Sequence, residues 1–141
     1  MRNLEEEIVG PKLGRSEAAM VVAAAANCAK HEDWLGAEIA AKAALANNRR
    51  SFYAWALLGV SLARQKDFRL AAEAFRNALT LKPNSIETWV SLGEAYISLL
   101  DYKNAALALK RALELDPNAQ HASGRRARAI VGRTLAKLSK N

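Results

Sequence analysis

Asp33-Trp34, Asp67-Phe68 and Asp101-Tyr102 stand 34 residues apart along the chain. The same offset joins Ala37, Ala71 and Ala105, then Ala44, Ala78 and Ala112, then Leu45, Leu79 and Leu113. It also joins Trp55 to Trp89, Leu58-Gly59 to Leu92-Gly93, and Pro83-Asn84 to Pro117-Asn118. A unit of that length is too short to bury its own apolar face. It must stack on its neighbours, so the fold is an array of similar small units.

Within each unit the spacing is helical. Trp55, Leu58, Gly59 and Leu62 fall at i, i+3, i+4 and i+7, and Trp89, Leu92, Gly93 and Tyr96 repeat the stripe. A glycine inside a helix costs about 1 kcal/mol relative to alanine, so its recurrence implies that another helix approaches closely there. Ala71, Phe75 and Ala78 form the facing stripe of a second helix, as do Ala105, Leu109 and Ala112 one unit later. The Asp before each aromatic is a helix N-cap, and Pro83 and Pro117 end the units. The 30 alanines, against 7 Gly and 3 Pro, favour close helix packing, and 51% hydrophobic with 25% charged residues is a folded composition. Helices are expected near 17–30, 34–46, 52–64, 68–80, 86–98 and 102–114, with a seventh over 119–138.

These residues resemble the tetratricopeptide repeat family, whose pattern is Trp, Leu-Gly, Tyr, Ala, Phe, Ala and Pro. Residues 52–85 match with Leu62 in place of Tyr, and 86–119 match with Leu109 in place of Phe. Residues 18–51 match more loosely, with Val21, Ala24, Ala25 and Cys28 at the first-helix positions and Arg49 replacing the proline. The resemblance implies an all-α, right-handed superhelical stack of antiparallel helix pairs. The expected organisation is a flexible N-terminal arm over 1–15, three repeats within 16–119, and a basic capping helix and tail over 120–141. Ser123 stands where the aromatic should be, so the last helix is no fourth repeat; Ala127, Ile130, Val131, Leu135 and Leu138 are expected to cover the end of the stack.

Catalytic chemistry is not visible. There is no Gly-rich phosphate loop, nucleophile elbow or metal-binding helix motif. Cys28 alone excludes an internal disulfide, and His31 and His121 lie far apart without a second cysteine, so no zinc spacing exists. Cys28 reads as a small packed hydrophobe, and Asp33, Asp67 and Asp101 read as caps. The expectation is a non-enzymatic chain with no catalytic residue, metal or cofactor. The apolar run 18–26 follows Glu5, Glu6 and Glu7, a poor flank for a signal peptide, and no run is long enough to span a membrane, so the chain reads as cytoplasmic.

The resemblance implies a concave surface on the first helices where a partner's peptide binds. By register its residues are Val22 and Ala26; Tyr53, Ala56, Val60 and Arg64; and Glu87, Val90, Glu94 and Ile97. The trough is small and apolar with two acids at one end, which suits a peptide or helical segment carrying a basic residue. One family subtype clamps a C-terminal carboxylate with Lys, Asn and Arg; Val22, Ala26, Leu57, Glu87 and Ser91 occupy those positions and do not fit. The reading is an adaptor or chaperone, with the small bacterial secretion chaperones as a narrower likeness. The alternative rests on charge. The net charge is +7, and residues 125–140 carry six cations with no acid, among them Arg125, Arg126, Arg128 and Arg133. That end would attract an acidic partner, with nucleic acid or an anionic membrane less favoured because no aromatic is interleaved for base stacking. A homodimer through an uncapped end is the third option.

Overall fold

The computed structural model of the chain describes residues 1–139; Lys140 and Asn141, part of the expected tail, lie outside the described residues, as does the side chain of Leu138. All regular structure among the described residues is helical: α1 (Leu4–Glu7), α2 (Arg15–Lys30), α3 (Trp34–Asn47), α4 (Phe52–Arg64), α5 (Phe68–Leu81), α6 (Ile86–Ser98), α7 (Tyr102–Leu115) and α8 (Ala122–Ser139). The chain divides into two compact units, residues 1–82 with α1 to α5 and residues 83–141 with α6 to α8.

Each hairpin closes by the same turn. At the ends of α2, α4 and α6, the N–H groups of Asp33, Asp67 and Asp101 donate to the carbonyls of Cys28, Leu62 and Tyr96 at 2.8–2.9 Å. The residue just before each aspartate (Glu32, Lys66 or Leu100) takes a positive φ near 60°. This is the left-handed helix-stop motif, here built without glycine, so each turn carries backbone strain. The aspartates then start the next helix. Asp33 Oδ1 accepts from the Gly36 N–H at 3.0 Å, and Asp101 Oδ1 from the Asn104 N–H at 3.2 Å. Asp67 departs from the expected role: its side chain caps nothing and instead accepts from Arg2 at 3.1 Å. Ser51 and Ser85, also 34 apart, cap α4 and α6 through their hydroxyls.

The glycines mark close helix approach. A Cβ at Gly59 would stand 2.5 Å from the ring of Phe75, and one at Gly93 would stand 2.8 Å from Leu109. In these two hairpins the second helix therefore inserts its large side chain against bare backbone of the first, whereas Ala25 and Ala41 hold the matching positions of α2 and α3. The indoles lock the loops: Trp55 Nε1–H donates to the Arg49 carbonyl and Trp89 Nε1–H to the Pro83 carbonyl, both at 2.8 Å. The backbone oxygen of Arg49 thus does in the first repeat what that of proline does later.

In the first unit α2 pairs with α3 and α4 with α5, and α4 also packs on α3 and touches α2. Residues 1–9, expected as a loose arm, are instead built into this unit. Leu4 is fully buried and Ile8 nearly so. Arg2 ties the segment to two further elements, donating to Glu38 on α3 at 2.5 Å and to Asp67 ahead of α5, as well as to Glu7 at 2.8 Å. Lys42 bonds both Glu7 and Glu38, Arg49 pairs with Glu5, and Arg69 donates to the Arg2 carbonyl. Two acids of the run that reads as a poor signal-peptide flank supply partners here, Glu7 for Arg2 and Lys42 and Glu5 for Arg49.

Glu38 is 4% exposed, and its oxygens are shared among Arg2, Lys42 and Gln65. Burial pushes its pKa up, but these donors outweigh it and hold the carboxyl below its ordinary value. Glu7 is lowered to about 2, chiefly by the bidentate bond from Arg2. A carboxylate held low in the folded state stabilises above its unfolded pKa near 4.5 and loses that contribution as pH falls toward its folded pKa. Stability is therefore expected to be level above about pH 5 and to drop between about pH 4.5 and 2. The same acid titration on Arg2→Gln should give a shallower slope in that window; an unchanged slope contradicts the assignment.

In the second unit, α8 packs against both α6 and α7. Its Ala127 and Ile130 join Val90, Leu109 and Ala112 in one core, with Val131 partly buried beside it. Leu135, expected to help cover the end, is largely exposed. The helix starts three residues later than expected because residues 117–121 form a turn. The buried carboxylate of Asp116 accepts from the N–H groups of Gln120 (2.9 Å) and His121 (2.8 Å). Burial pushes this carboxyl up, yet the two backbone donors hold it below the usual aspartate range.

Candidate interaction site

In the first unit the expected groove residues line the first helices of the two hairpins. Val22 and Ala26 on α2, and Ala56 and Val60 on α4, are half-buried, whereas Tyr53 is 49% exposed. Small side chains leave the α2 and α4 backbones shallowly covered, and Tyr53 stands up beside them as an aromatic contact. Arg64 at the far end lies 5.1 Å over the ring of Trp34 in a cation–π contact, so its guanidinium is oriented rather than loose. Among the described residues, the ion pairs of the built-in segment 1–9 run to α3, Asp67 and Arg49, not to α2 or α4.

A cavity of about 490 Å³ adjoins this face. Its apolar lining includes Leu13, Ala19, Val22 and Ala44, with the exposed cations Lys12 and Arg15 at its edge. Asn47 fixes one wall: its Oδ1 accepts from the Leu13 N–H at 2.6 Å, and its Nδ2 donates to the carbonyls of Pro11 and Ala43. Sequence reading missed Asn47, because nothing in the period marks it; the polar residue ending an apolar helix was the available signal.

The second unit differs more from expectation. Glu87 is exposed, but Val90, expected to line the groove, is completely buried under α8 against Ala127 and Ile130. It is a core residue. The apolar face of the capping helix was visible in Ala127, Ile130 and Val131, but the helix carries no repeat register, so its seat over Val90 on α6 was not. Glu94 is exposed but already paired with Arg126 at 2.5 Å, and Ile97 is partly buried at the edge of the core.

The four arginines expected as one basic patch divide. Arg125 donates to the carbonyls of Ala119 and Gln120, Arg128 to that of Pro117, and Arg126 holds Glu94. These three secure the turn into α8 and its seat on α6. Arg133 lines a second cavity.

No three His, Cys, Asp or Glu side chains gather as metal ligands among the described residues. Cys28 is half-buried, and burial followed by the neighbouring Asp33 charge pushes its thiol pKa up, which disfavours the reactive thiolate. No described helix is long and apolar enough to cross a membrane.

Antiparallel helix pairs closed by one recurring turn, with a glycine crossing and an indole bonded to the preceding loop in the α4–α5 and α6–α7 pairs, define a helical-hairpin repeat protein. The chain belongs to the tetratricopeptide repeat family, whose profiles match residues 29–86 and 62–128. No curated protein sequence matches it. Solved structures share the fold at low identity. The TPR2B domain of yeast Sti1, in a pHsp70 complex, aligns with a TM-score of 0.79 at 17% identity, covering 86% of this chain and 98% of that one. The Yersinia enterocolitica type III secretion chaperone SycD, in complex with a peptide of the translocator YopD, aligns at 0.79 and 14%, covering 93% and 100%. The first TPR of Spaghetti (RPAP3), bound to an HSP90 peptide, aligns at 0.75 and 19%, covering 90% and 99%.

Proposed function

We propose that this protein is a non-enzymatic adaptor or chaperone that binds a peptide or helical segment of another protein on the exposed face of α2 and α4. The observation that carries this reading is the half-exposed Tyr53 set among half-buried Val22, Ala26, Ala56 and Val60. Small apolar side chains flanking one standing aromatic suit an apolar segment, because both can be desolvated without stranding a polar group. The three similar structures, each solved with a bound partner or peptide, support peptide recognition as the class of activity. The likeness to SycD supports, more narrowly, a secretion-type chaperone that shields an apolar translocator segment. On α6, Glu87 is exposed and forms no ion pair among the described residues, which leaves it open to a basic residue of a partner.

Ala56→Arg tests the reading. A labelled library of short apolar and amphipathic peptides should yield binders for the wild-type chain whose affinity changes little between 50 and 300 mM salt. The variant should bind them at least about tenfold more weakly while its melting midpoint stays within a few degrees. Equal binding by Ala56→Arg would falsify the assignment of this face.

A further inference from the structure

The second cavity, about 250 Å³, lies within the C-terminal unit between α6, α8 and the first residue of α7. Arg133 and Lys137, one turn apart on α8, both line it. Neither forms a hydrogen bond or ion pair among the described residues, in contrast to Arg125, Arg126 and Arg128 on the same helix. The one acid in the lining, Glu94, is neutralised by Arg126. The cavity therefore holds two uncompensated positive charges. Thr134 and Tyr102 add hydroxyl groups, and Ile97 and Ile130 give it an apolar floor.

We propose that this cavity is a carboxylate-binding site for an acidic residue or chain end of a partner peptide, with Arg133 and Lys137 as its counter-ions. The volume fits one side chain or one chain terminus, not a helix. Two adjacent cations with neighbouring hydroxyls complement a carboxylate by charge-assisted hydrogen bonds, and the isoleucines accept the methylenes that carry it. Nucleic acid fits less well, since its affinity comes from neutralising many phosphates, and among the described residues two unpaired cations line the cavity. The site goes beyond the α2 and α4 face and does not rest on it.

Three N-acetylated tetrapeptides serve as probes: Ac-Ala-Leu-Glu-Leu-amide, Ac-Ala-Leu-Gln-Leu with a free C-terminus, and neutral Ac-Ala-Leu-Gln-Leu-amide. Nitrogen-15 NMR follows Thr134 and the Arg133 Nε–H. At least one charged peptide should shift these signals saturably, and the neutral one should not; which of the two binds tells a side-chain carboxylate from a terminal one. The Arg133→Gln/Lys137→Gln double variant, whose changes are at exposed positions, should keep its melting midpoint and bind at least about tenfold more weakly. Ala56→Arg should leave these shifts intact, which separates this site from the other face. The proposal is overturned by equal shifts with the neutral peptide, by undiminished binding in the double variant, by loss of the shifts in Ala56→Arg, or by tighter binding of a poly-dT oligonucleotide at the same signals.

Discussion

Val90→Arg is expected to lower stability by more than about 4 kcal/mol and the melting midpoint by roughly 10 °C or more. Val90 has no exposed surface, and its neighbours Leu109, Ala112, Ala127 and Ile130 offer a guanidinium no acceptor. An arginine there must either bury an unpaired charge or push α8 off the face of α6. Read as a groove residue, position 90 would have been a harmless place for such a change. Glu87→Arg, one turn earlier at an exposed position, should shift stability by no more than about 0.5 kcal/mol. Paired thermal melts decide between the readings, and a wild-type midpoint for Val90→Arg would mean that α8 does not seal this residue.

Leu4→Ala should cost about 2–3 kcal/mol, unusually large for a residue so near a chain end. The truncation leaves a hole beneath a one-turn helix that has little stability of its own. Ile8→Ala should also destabilise, yet the two losses should not add. Once the segment 1–9 has detached, the second truncation has nothing left to remove, so the double variant reports the total contribution of the docked segment. Hydrogen exchange of residues 4–9 should accelerate in step with the fall in the midpoint. An effect of Leu4→Ala below about 0.5 kcal/mol would show that the segment does not stabilise the unit.

The helix hairpins were legible because their signals are local and repeated. Trp55, Leu58, Gly59 and Leu62 declare one face within eight residues, and Trp89 and its successors declare it again. The predicted ends of α4 and α6 coincide with the observed ones. Residues 1–9 were not legible, since one helical turn has no period and its partners Glu38, Lys42 and Asp67 lie 35 to 65 residues away. In the sequence Glu5-Glu6-Glu7 shows only as a poor signal-peptide flank, and its role appears once Arg2 and Lys42 reach Glu7 and Arg49 reaches Glu5. The site was legible in part. Register alone identified Tyr53 and Val60 as positions of partial exposure, but it carried Val90 along with them. Only the third dimension shows that α8, which has no place in the period, covers that position.

The bond from Trp55 to the Arg49 carbonyl has a consequence for how such arrays drift in sequence. The acceptor is main chain, so any amino acid at that station presents the same oxygen. Proline can therefore be absent from a unit while the joint stays shut, because the fastening needs only an indole and a main-chain oxygen.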